Sequence, residues 1–296
     1  MEWTRADAQR TAEIISAQAG LGALQPTLLR FGNNAVFALG EAYVLRLMRP
    51  TADRTDVQQE IDLVREFARL DVPSVRLADL AAEQPLEAHG CLATVWERLD
   101  EPDRDQLYPA FGRLVRTFHE RTAGLQLPLD HWRPLASAER RLAELRSHYP
   151  PGDMALLDDW YKRIAAELDQ VAPSLPAGFI HGQAEVSNVL LRAGEPVFVD
   201  FERVAIGPRE WDLIDTAVTV ERFGLPEQRY QEFTAACGFD VRAWDGYETF
   251  RRLWELRAIT WLMQHGNEGA VAAREIEVRL QSWRDGDATV RWSTVV

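Results

Sequence analysis

The sequence is poor in cysteine, with only Cys91 and Cys237 in 296 residues. Two cysteines in unrelated sequence contexts exclude a disulfide framework and a CxxC metal site. We expect both to be buried thiols. Long apolar runs are also missing, since no stretch approaches the roughly 18 to 20 residues that a membrane span needs. The opening segment MEWTRADAQRTAEIIS is polar and charged where a secretory signal would be apolar. We therefore expect a cytoplasmic protein.

Basic residues are outnumbered by acidic ones, 33 to 46, so the formal net charge is −13. A nucleic acid or an anionic membrane would need a clustered cationic surface, so we expect neither as a partner. A cationic small molecule fits this composition better. Lysine is nearly absent: Lys162 is the only one among 33 lysine and arginine residues. Any role that normally requires lysine must therefore fall to arginine or stay empty.

The first hundred residues read as β-rich with one helix. The runs TLLRFG, AVFALG and AYVLRLM are short, apolar or alternating, and broken by glycine, which is typical of antiparallel strands. A helix is predicted over 55–70, with Val57, Ile61 and Val64 on its apolar stripe. The segments DVPSVRLADL and GCLATVWERL are predicted to be two further strands.

Helical patterns follow after position 100. We predict a helix over QLYPAFGRLVRTFHERTAG that ends at Gly124. Further helices are predicted at about 136–148, 153–172, 209–222, 226–237, 242–264 and 268–283, with one small hairpin formed by VLLRAG and PVFVDF. The sequence thus predicts an α+β protein with a small β-rich N-terminal lobe, 1–99, and a larger helical C-terminal lobe, 100–296.

The segment 181–202 contains the side chains with the most distinctive chemistry. His181 and Asn188 precede the hairpin, and Asp200 ends an apolar strand, which delivers its carboxylate to the edge of a sheet. Carboxylate and amide oxygens are the ligands that Mg²⁺ prefers. Phosphoryl transfer requires such ligands together with a cation for the phosphates and a residue that orients the attacking hydroxyl.

The chain resembles the aminoglycoside phosphotransferase and choline kinase-like family of small-molecule kinases. The resemblance rests on an ordered set of residues: His181, Gly182, Gln183, Asn188, Asp200, Phe201, Glu202, Gly207, Pro208, Trp211, Asp212 and Leu213. It implies a bilobal protein kinase-like fold, with Asn188 and Asp200 as Mg²⁺ ligands and a 1–99 lobe that binds ATP or GTP. It also implies that His181 belongs to the catalytic loop and that Asp212 braces this loop. Asp212 as a simple helix cap is the alternative.

The N-terminal half resembles the nucleotide-binding lobe of that family. Gly32, Asn33 and Asn34 would cover the phosphates, and the backbone from Glu97 to Leu99 would hydrogen-bond the purine. Arg46 occupies the place of the phosphate-gripping lysine. Arginine keeps the charge and can contact phosphate oxygens bidentately, although its geometry differs. Glu60 is the expected ion-pair partner of Arg46, with Asp62 and Glu66 as alternatives.

Gln183 stands where the family carries its proton-accepting aspartate. An amide oxygen is far less basic, and a positioned general base contributes roughly 10² to 10⁴ in rate. Gln183 can still orient a hydroxyl, while Glu185 on the same loop is either a relocated base or a spectator that repels phosphate. The first hypothesis is therefore an impaired kinase that phosphorylates a hydroxyl of a small, cationic acceptor. The second is a pseudokinase that retains nucleotide binding and assists a protein partner.

Two further sets of residues have open roles. Trp244, Trp254 and Trp261 fall on predicted helices and belong either to the core or to an acceptor pocket. Asp215 is predicted to lie on a solvated helix face.

Overall fold

The computed structural model describes residues 3–32, 34–266 and 269–295. In chain order its helices and strands are α1 (Arg5–Gln18), β1 (Pro26–Phe31), β2 (Asn34–Leu39), β3 (Tyr43–Met48), α2 (Arg54–Arg69), β4 (Leu86–Ala88), β5 (Cys91–Glu97), α3 (Tyr108–Arg121), α4 (Ala136–Leu145), α5 (Pro151–Leu168), β6 (Gly178–Ile180), β7 (Val189–Arg192), β8 (Glu195–Phe198), β9 (Ala205–Gly207), α6 (Trp211–Phe223), α7 (Glu227–Cys237), α8 (Tyr247–Gln264) and α9 (Ala270–Arg284). The predicted α+β class is confirmed. Two compact units are formed, Met1–Asp103 with Asn188–Glu202, and Arg104–Ser187 with Arg203–Val296.

The first unit is built on an antiparallel five-stranded sheet in the order β1-β2-β3-β5-β4. Strand β3 lies at its centre and pairs Arg46 with Val36 on one side and with Thr94 on the other. Helix α2 matches the predicted helix, and its buried stripe includes the expected Val57, Ile61 and Val64.

Helix α1 was not predicted from the sequence, since the only helix predicted in the first hundred residues is the one over 55–70. The side chain of Thr4 caps the helix by accepting a hydrogen bond from the Asp7 amide at 3.2 Å. Its buried face consists largely of small or polar residues such as Ala8, Thr11 and Ala12. Such a face packs on the sheet but produces little apolar periodicity in the sequence.

The predicted strand DVPSVRLADL is also wrong. This segment forms only isolated bridges, from Ser74 to Phe198 and from Leu77 to Trp96. Pro73 lies within it and has no N–H to donate, which disfavours a regular ladder. The fifth strand of the sheet is instead β4.

The β7–β8 hairpin belongs to the first unit, although the predicted boundary assigned it to the helical lobe 100–296. Asp100 and Leu191 exchange backbone hydrogen bonds of 3.0 and 2.8 Å, and the Phe198 amide donates to the Pro73 carbonyl at 3.0 Å. Arg192 also forms an ion pair with Glu97. These contacts attach the hairpin to the first unit, although the segments before and after it in the chain belong to the second unit.

The second unit is mainly helical. Strands β6 and β9 form a short antiparallel pair, which the sequence reading did not predict. The six helices predicted between 136 and 283 correspond to α4 through α9, with ends that differ by a few residues. Cys91 and Cys237 are free and buried, as expected. No helix in the described ranges has the length and apolarity that crossing a bilayer demands.

Candidate functional site

The β7–β8 hairpin brings together the two residues expected to bind a metal ion. Asn188 directly precedes β7 and Asp200 follows β8. The Val199 amide donates to the Asn188 carbonyl at 3.0 Å, so the backbones on either side of the hairpin are adjacent. Asp200 has a φ of +64°, a left-handed conformation in which the chain turns away from the strand. An amide oxygen and a carboxylate oxygen are a suitable partial ligand set for Mg²⁺.

Arg46 on β3 lies among carboxylates of the same unit. It forms an ion pair with Glu60 of α2, as predicted, and its Nη1 lies 3.7 Å from Glu202 Oε1. Burial alone would lower the pKa of Arg46, but the charges of Glu60, Glu202 and Asp200 outweigh it and raise the pKa. The guanidinium is therefore a fixed cation close to Asp200.

The alternatives to Glu60 have other partners. Asp62 lies 3.8 Å from Arg65, and Glu66 lies 2.6 Å from Arg69.

The β1–β2 turn contains the residues expected to cover phosphates. Asn33 lies outside the described residues. Asn34 begins β2, and its Nδ2 donates to Glu202 Oε1 at 3.5 Å. A Cβ on Gly32 would meet nothing within 4 Å, so this glycine has open space next to it. The polar backbone groups of Gly32 already have protein partners, because its N–H donates to the Asn34 carbonyl at 3.1 Å and its carbonyl accepts from Arg49 Nη2 at 3.3 Å.

The segment expected to bind a purine lies at the end of β5. The Glu97 amide donates to the Arg76 carbonyl at 3.0 Å, and the Glu97 carboxylate accepts from Arg192 Nε at 2.9 Å. Glu97 therefore has a structural role through these two groups. Within the described ranges, the Leu99 amide donates to no other protein group, so this donor is available to a ligand.

Asp212 braces the catalytic loop, as the sequence reading predicted. Its two carboxylate oxygens accept from the backbone amides of His181 and Gly182 at 2.8 and 2.9 Å, and Oδ2 also lies 2.9 Å from His119 Nε2. The N-cap of α6 is Glu210, so the alternative role of Asp212 as a helix cap is wrong. His181 is completely buried, so its side chain lies inside the fold beneath the loop.

Gly182 is required by the conformation of this loop. Its φ is +81°, and a Cβ at this position would lie 2.2 Å from the carbonyl oxygen of Arg203. The loop therefore passes too close to the following segment for any side chain. Trp211 fixes the same residue by donating from Nε1 to the Gly182 carbonyl at 3.0 Å.

The catalytic loop lines a cavity of about 570 Å³ within the second unit. Gln183 is exposed and Glu185 is half-buried, and the Glu185 amide donates to the Gln183 carbonyl at 3.0 Å. Trp254 and Trp261 also line this cavity, whereas Trp244 lines a different cavity of about 590 Å³. Trp244 is buried and contacts Phe250 edge-on at 4.8 Å.

Asp215 lines the cavity, so its predicted position on a solvated helix face is wrong. Trp254 Nε1 donates to its carboxylate at 3.2 Å. Burial, together with the negative charge of Glu185, raises the pKa of Asp215 well above its ordinary value. The cavity is thus lined by two acidic side chains, Glu185 and Asp215.

Several residues of the site carried no recognisable signal in the sequence. Glu210 is fully buried, and its Oε1 accepts from the Ser174 and Leu175 amides at 2.6 Å each. Arg141 and Arg257 line the cavity from helices α4 and α8. Neither helix contains a motif residue, so only the packing of these helices reveals the two arginines. Across the described chain, no cluster of three His, Cys, Asp or Glu side chains is suited to a metal.

Comparisons with known proteins identify the family and the fold of this chain. A family model described as "Phosphotransferase enzyme family" matches residues 28–250. Amicoumacin kinase hAmiN, solved with AMP-PNP, Ca²⁺ and Ami, is similar with a TM-score of 0.76 at 16% identity, over 97% of each chain. Choline kinase LicA from Streptococcus pneumoniae is similar with a TM-score of 0.64 at 13% identity, over 93% of this chain and 98% of that one.

A choline/ethanolamine kinase family protein from Mesorhizobium loti gives a TM-score of 0.59 at 20% identity, over 92% of this chain and 94% of that one. A comparison with curated proteins finds no match. At these identities the solved structures show the fold, which is protein kinase-like. The family model covers more than half of the chain, and this chain therefore belongs to the phosphotransferase enzyme family.

Proposed function

We propose that this protein transfers the γ-phosphoryl group of ATP or GTP to a hydroxyl group of a small molecule, and that Gln183 makes this transfer slow. The observation that carries the proposal is the hairpin that brings the backbones next to Asn188 and Asp200 within one hydrogen bond of each other. The two ends of the hairpin would supply the oxygen ligands for Mg²⁺. Gln183 and Glu185 line a cavity of a size suited to a small acceptor.

The residues of the first unit fit a magnesium-bound nucleotide. Asn188 and Asp200 would hold the ion, which neutralises phosphate charge when it is bound. Arg46 would hold the non-transferred phosphates, since Glu60 and Glu202 fix its guanidinium without removing its charge. The Leu99 amide would donate to the purine. Gly32, Asn33 and Asn34 would cover the phosphates.

Gln183 and Glu185 would act on the acceptor hydroxyl. In the transfer, the bond from the γ-phosphorus to its bridging oxygen breaks, a bond to the acceptor oxygen forms, and the hydroxyl proton leaves. The Gln183 amide can orient the hydroxyl but is a poor base. Glu185 is a carboxylate on the same loop and in the same cavity, which makes it the candidate proton acceptor.

The test measures melting temperature with and without Mg-ATP and Mg-GTP, and then nucleotide turnover. The variants are the native chain, Gln183→Asp, Glu185→Gln and Asp200→Asn. We expect Mg-nucleotide to stabilise the native chain and Asp200→Asn to abolish this effect. Turnover should be slow in the native chain and should rise by roughly 10² to 10⁴ in Gln183→Asp, the contribution of a positioned base.

Other outcomes separate the remaining possibilities. Loss of native turnover in Glu185→Gln identifies Glu185 as the base. Nucleotide binding with no turnover in the native chain, and turnover only in Gln183→Asp, establishes a pseudokinase. The proposal fails if neither Mg-nucleotide stabilises the native chain.

A further inference from the structure

Three arginines of the second unit lie together near the catalytic loop, and we call Arg141, Arg203 and Arg257 the arginine cluster. Arg141 and Arg257 line the cavity, and Arg141 Nη1 donates to the Arg257 carbonyl at 3.2 Å. The Arg203 carbonyl is the group that would lie 2.2 Å from a Cβ on Gly182. Positive charge is thus concentrated beside the loop that would present the acceptor.

In the described part of the chain, no carboxylate lies within ion-pair distance of the cluster, although the more distant charge of Glu144 acts on Arg141. Among the described residues, none forms an ion pair with Arg141, Arg203 or Arg257. Arg279 lines the same cavity and has a partner, Glu275 at 2.8 Å. An arginine that lines this cavity can therefore have an ion-pair partner, and the three arginines of the cluster differ from Arg279 in this respect.

The arginines of the cluster repel one another. Burial, with the charges of Arg203 and Arg141, lowers the pKa of Arg257 to about 10. Burial, with the charges of Arg203 and Arg140, also lowers the pKa of Arg141 to about 10. Both side chains remain charged at neutral pH, and the charge of Glu144 only partly offsets the repulsion at Arg141, so a bound anion would stabilise this cationic group.

The two cavity-lining guanidinium groups are held in place by neighbouring residues. Arg257 lies over the ring of Trp211 at 4.8 Å, and this tryptophan in turn holds the Gly182 carbonyl. Arg141 Nε donates to Gln264 Oε1 at 3.0 Å. Preorganised guanidinium groups bind carboxylate and phosphate bidentately with little loss of side-chain entropy.

The same cavity contains the acidic pair Glu185 and Asp215. We propose that the acceptor is amphoteric: its carboxylate or phosphate group binds Arg141 and Arg257, and its cationic group faces Glu185 and Asp215. A purely cationic acceptor would leave the arginine cluster without a counter-ion. This inference rests on the proposed function in identifying the ligand as the phosphoryl acceptor. The binding itself needs neither nucleotide nor metal.

The test uses linear ω-amino acids with two to eight methylene groups, because this series spans different separations of the two charges. Alkylamines and alkanoates of equal length serve as single-charge probes, and ω-aminoalkyl phosphates distinguish phosphate from carboxylate recognition. Binding is measured by calorimetry without nucleotide or Mg²⁺. The variants are Arg257→Gln, Arg257→Lys and Asp215→Asn, and Arg133→Gln, an exposed arginine outside the cavity lining, is the control.

We expect one chain length to bind at least about tenfold more tightly than the amine and the alkanoate of that length, because a second charge-assisted contact is made. Arg257→Gln should remove the advantage over the amine, Asp215→Asn should remove the advantage over the alkanoate, and Arg133→Gln should change neither. Arg257→Lys should retain part of the advantage, which shows that a misfolded variant is not the cause.

The inference is overturned if no amino acid or aminoalkyl phosphate binds better than the matching amine. It is also overturned if Arg257→Gln weakens Mg-ATP binding instead, because the cluster would then hold nucleotide phosphates. Failure of Mg-nucleotide to bind the native chain, with the amphoteric preference intact, would reject the proposed kinase function and leave the amphoteric ligand site in place.

Discussion

The carboxylate of Asp212 accepts the backbone N–H of His181 at 2.8 Å, and this bond fixes the loop that carries Gln183. In Asp212→Asn, an NH₂ group must face one of the backbone donors, so a buried hydrogen bond is lost. We expect a loss of about 1 to 3 kcal/mol in the free energy of unfolding. Urea denaturation measures it, with the exposed Asp245→Asn as the control. Equal stability of the two variants would contradict the bracing role.

Gly182→Ala should be far more damaging than Gly224→Ala. Both glycines have φ values near +80°, at +81° and +77°, so both substitutions introduce the same left-handed strain of about 1 to 2 kcal/mol. Only at Gly182 would the new Cβ collide with a backbone oxygen, that of Arg203, whereas Gly224 has open space. We expect Gly182→Ala to cost at least about 1 to 3 kcal/mol more. Thermal unfolding of both variants gives the comparison.

Loss of the buried ion pair of Arg222 and Glu255 should reduce the free energy of unfolding more than loss of an exposed ion pair. The two side chains are 2% and 1% exposed and lie 2.7 Å apart. Glu255 also forms an ion pair with Arg251 and accepts from Trp283 Nε1 at 2.8 Å, so Glu255→Ala leaves two buried guanidinium groups without this carboxylate and should cost at least about 3 to 5 kcal/mol. Asp158→Ala, which breaks the more exposed pair with Arg146, should cost less than about 1 kcal/mol. Similar losses in the two variants would refute this ranking.

Glu60→Ala should weaken Mg-ATP binding by about tenfold, the effect of roughly 1.4 kcal/mol. Glu60 holds the Arg46 guanidinium, and without it Arg46 is free to approach Glu202, 3.7 Å away. The control is Glu66→Ala on the same helix, since Glu66 pairs only locally with Arg69. Titration calorimetry with Mg-ATP measures both dissociation constants. Unchanged affinity in Glu60→Ala would separate Arg46 from nucleotide binding.

Asp215→Asn should stabilise the protein in a pH-dependent way. The folded pKa of Asp215 is raised, so the native chain loses stability as pH rises from the ordinary value of about 3.9 through that folded pKa. Asparagine does not titrate and can still accept the hydrogen bond from Trp254. The difference in melting temperature should be near zero below about pH 4 and should grow in favour of the variant toward neutral pH. A difference that does not change with pH would exclude a raised pKa.

Regular elements with a strong apolar stripe were predictable, and weakly patterned elements were not. Helix α2 was found because Val57, Ile61 and Val64 recur at helical spacing. Helix α1 was missed because alanine and threonine form much of its buried face. The segment around Ser74 and Leu77 was predicted as a strand from its apolar residues, but it makes only single bridges. Local sequence does not contain the register that decides such pairing.

The sequence alone indicated the family and the loop residues, because the residues that identify them lie close together in the chain, between His181 and Leu213. It also determined that Gln183 cannot act as a strong base, since this follows from the chemistry of an amide. Only the tertiary structure decided the environment of Asp215 and the presence of the arginine cluster. Arg141 and Arg257 are 116 residues apart in the chain, and their proximity depends on how helices α4 and α8 pack. Electrostatic interactions act through space, so the charge of the cavity could not be read from residues in chain order.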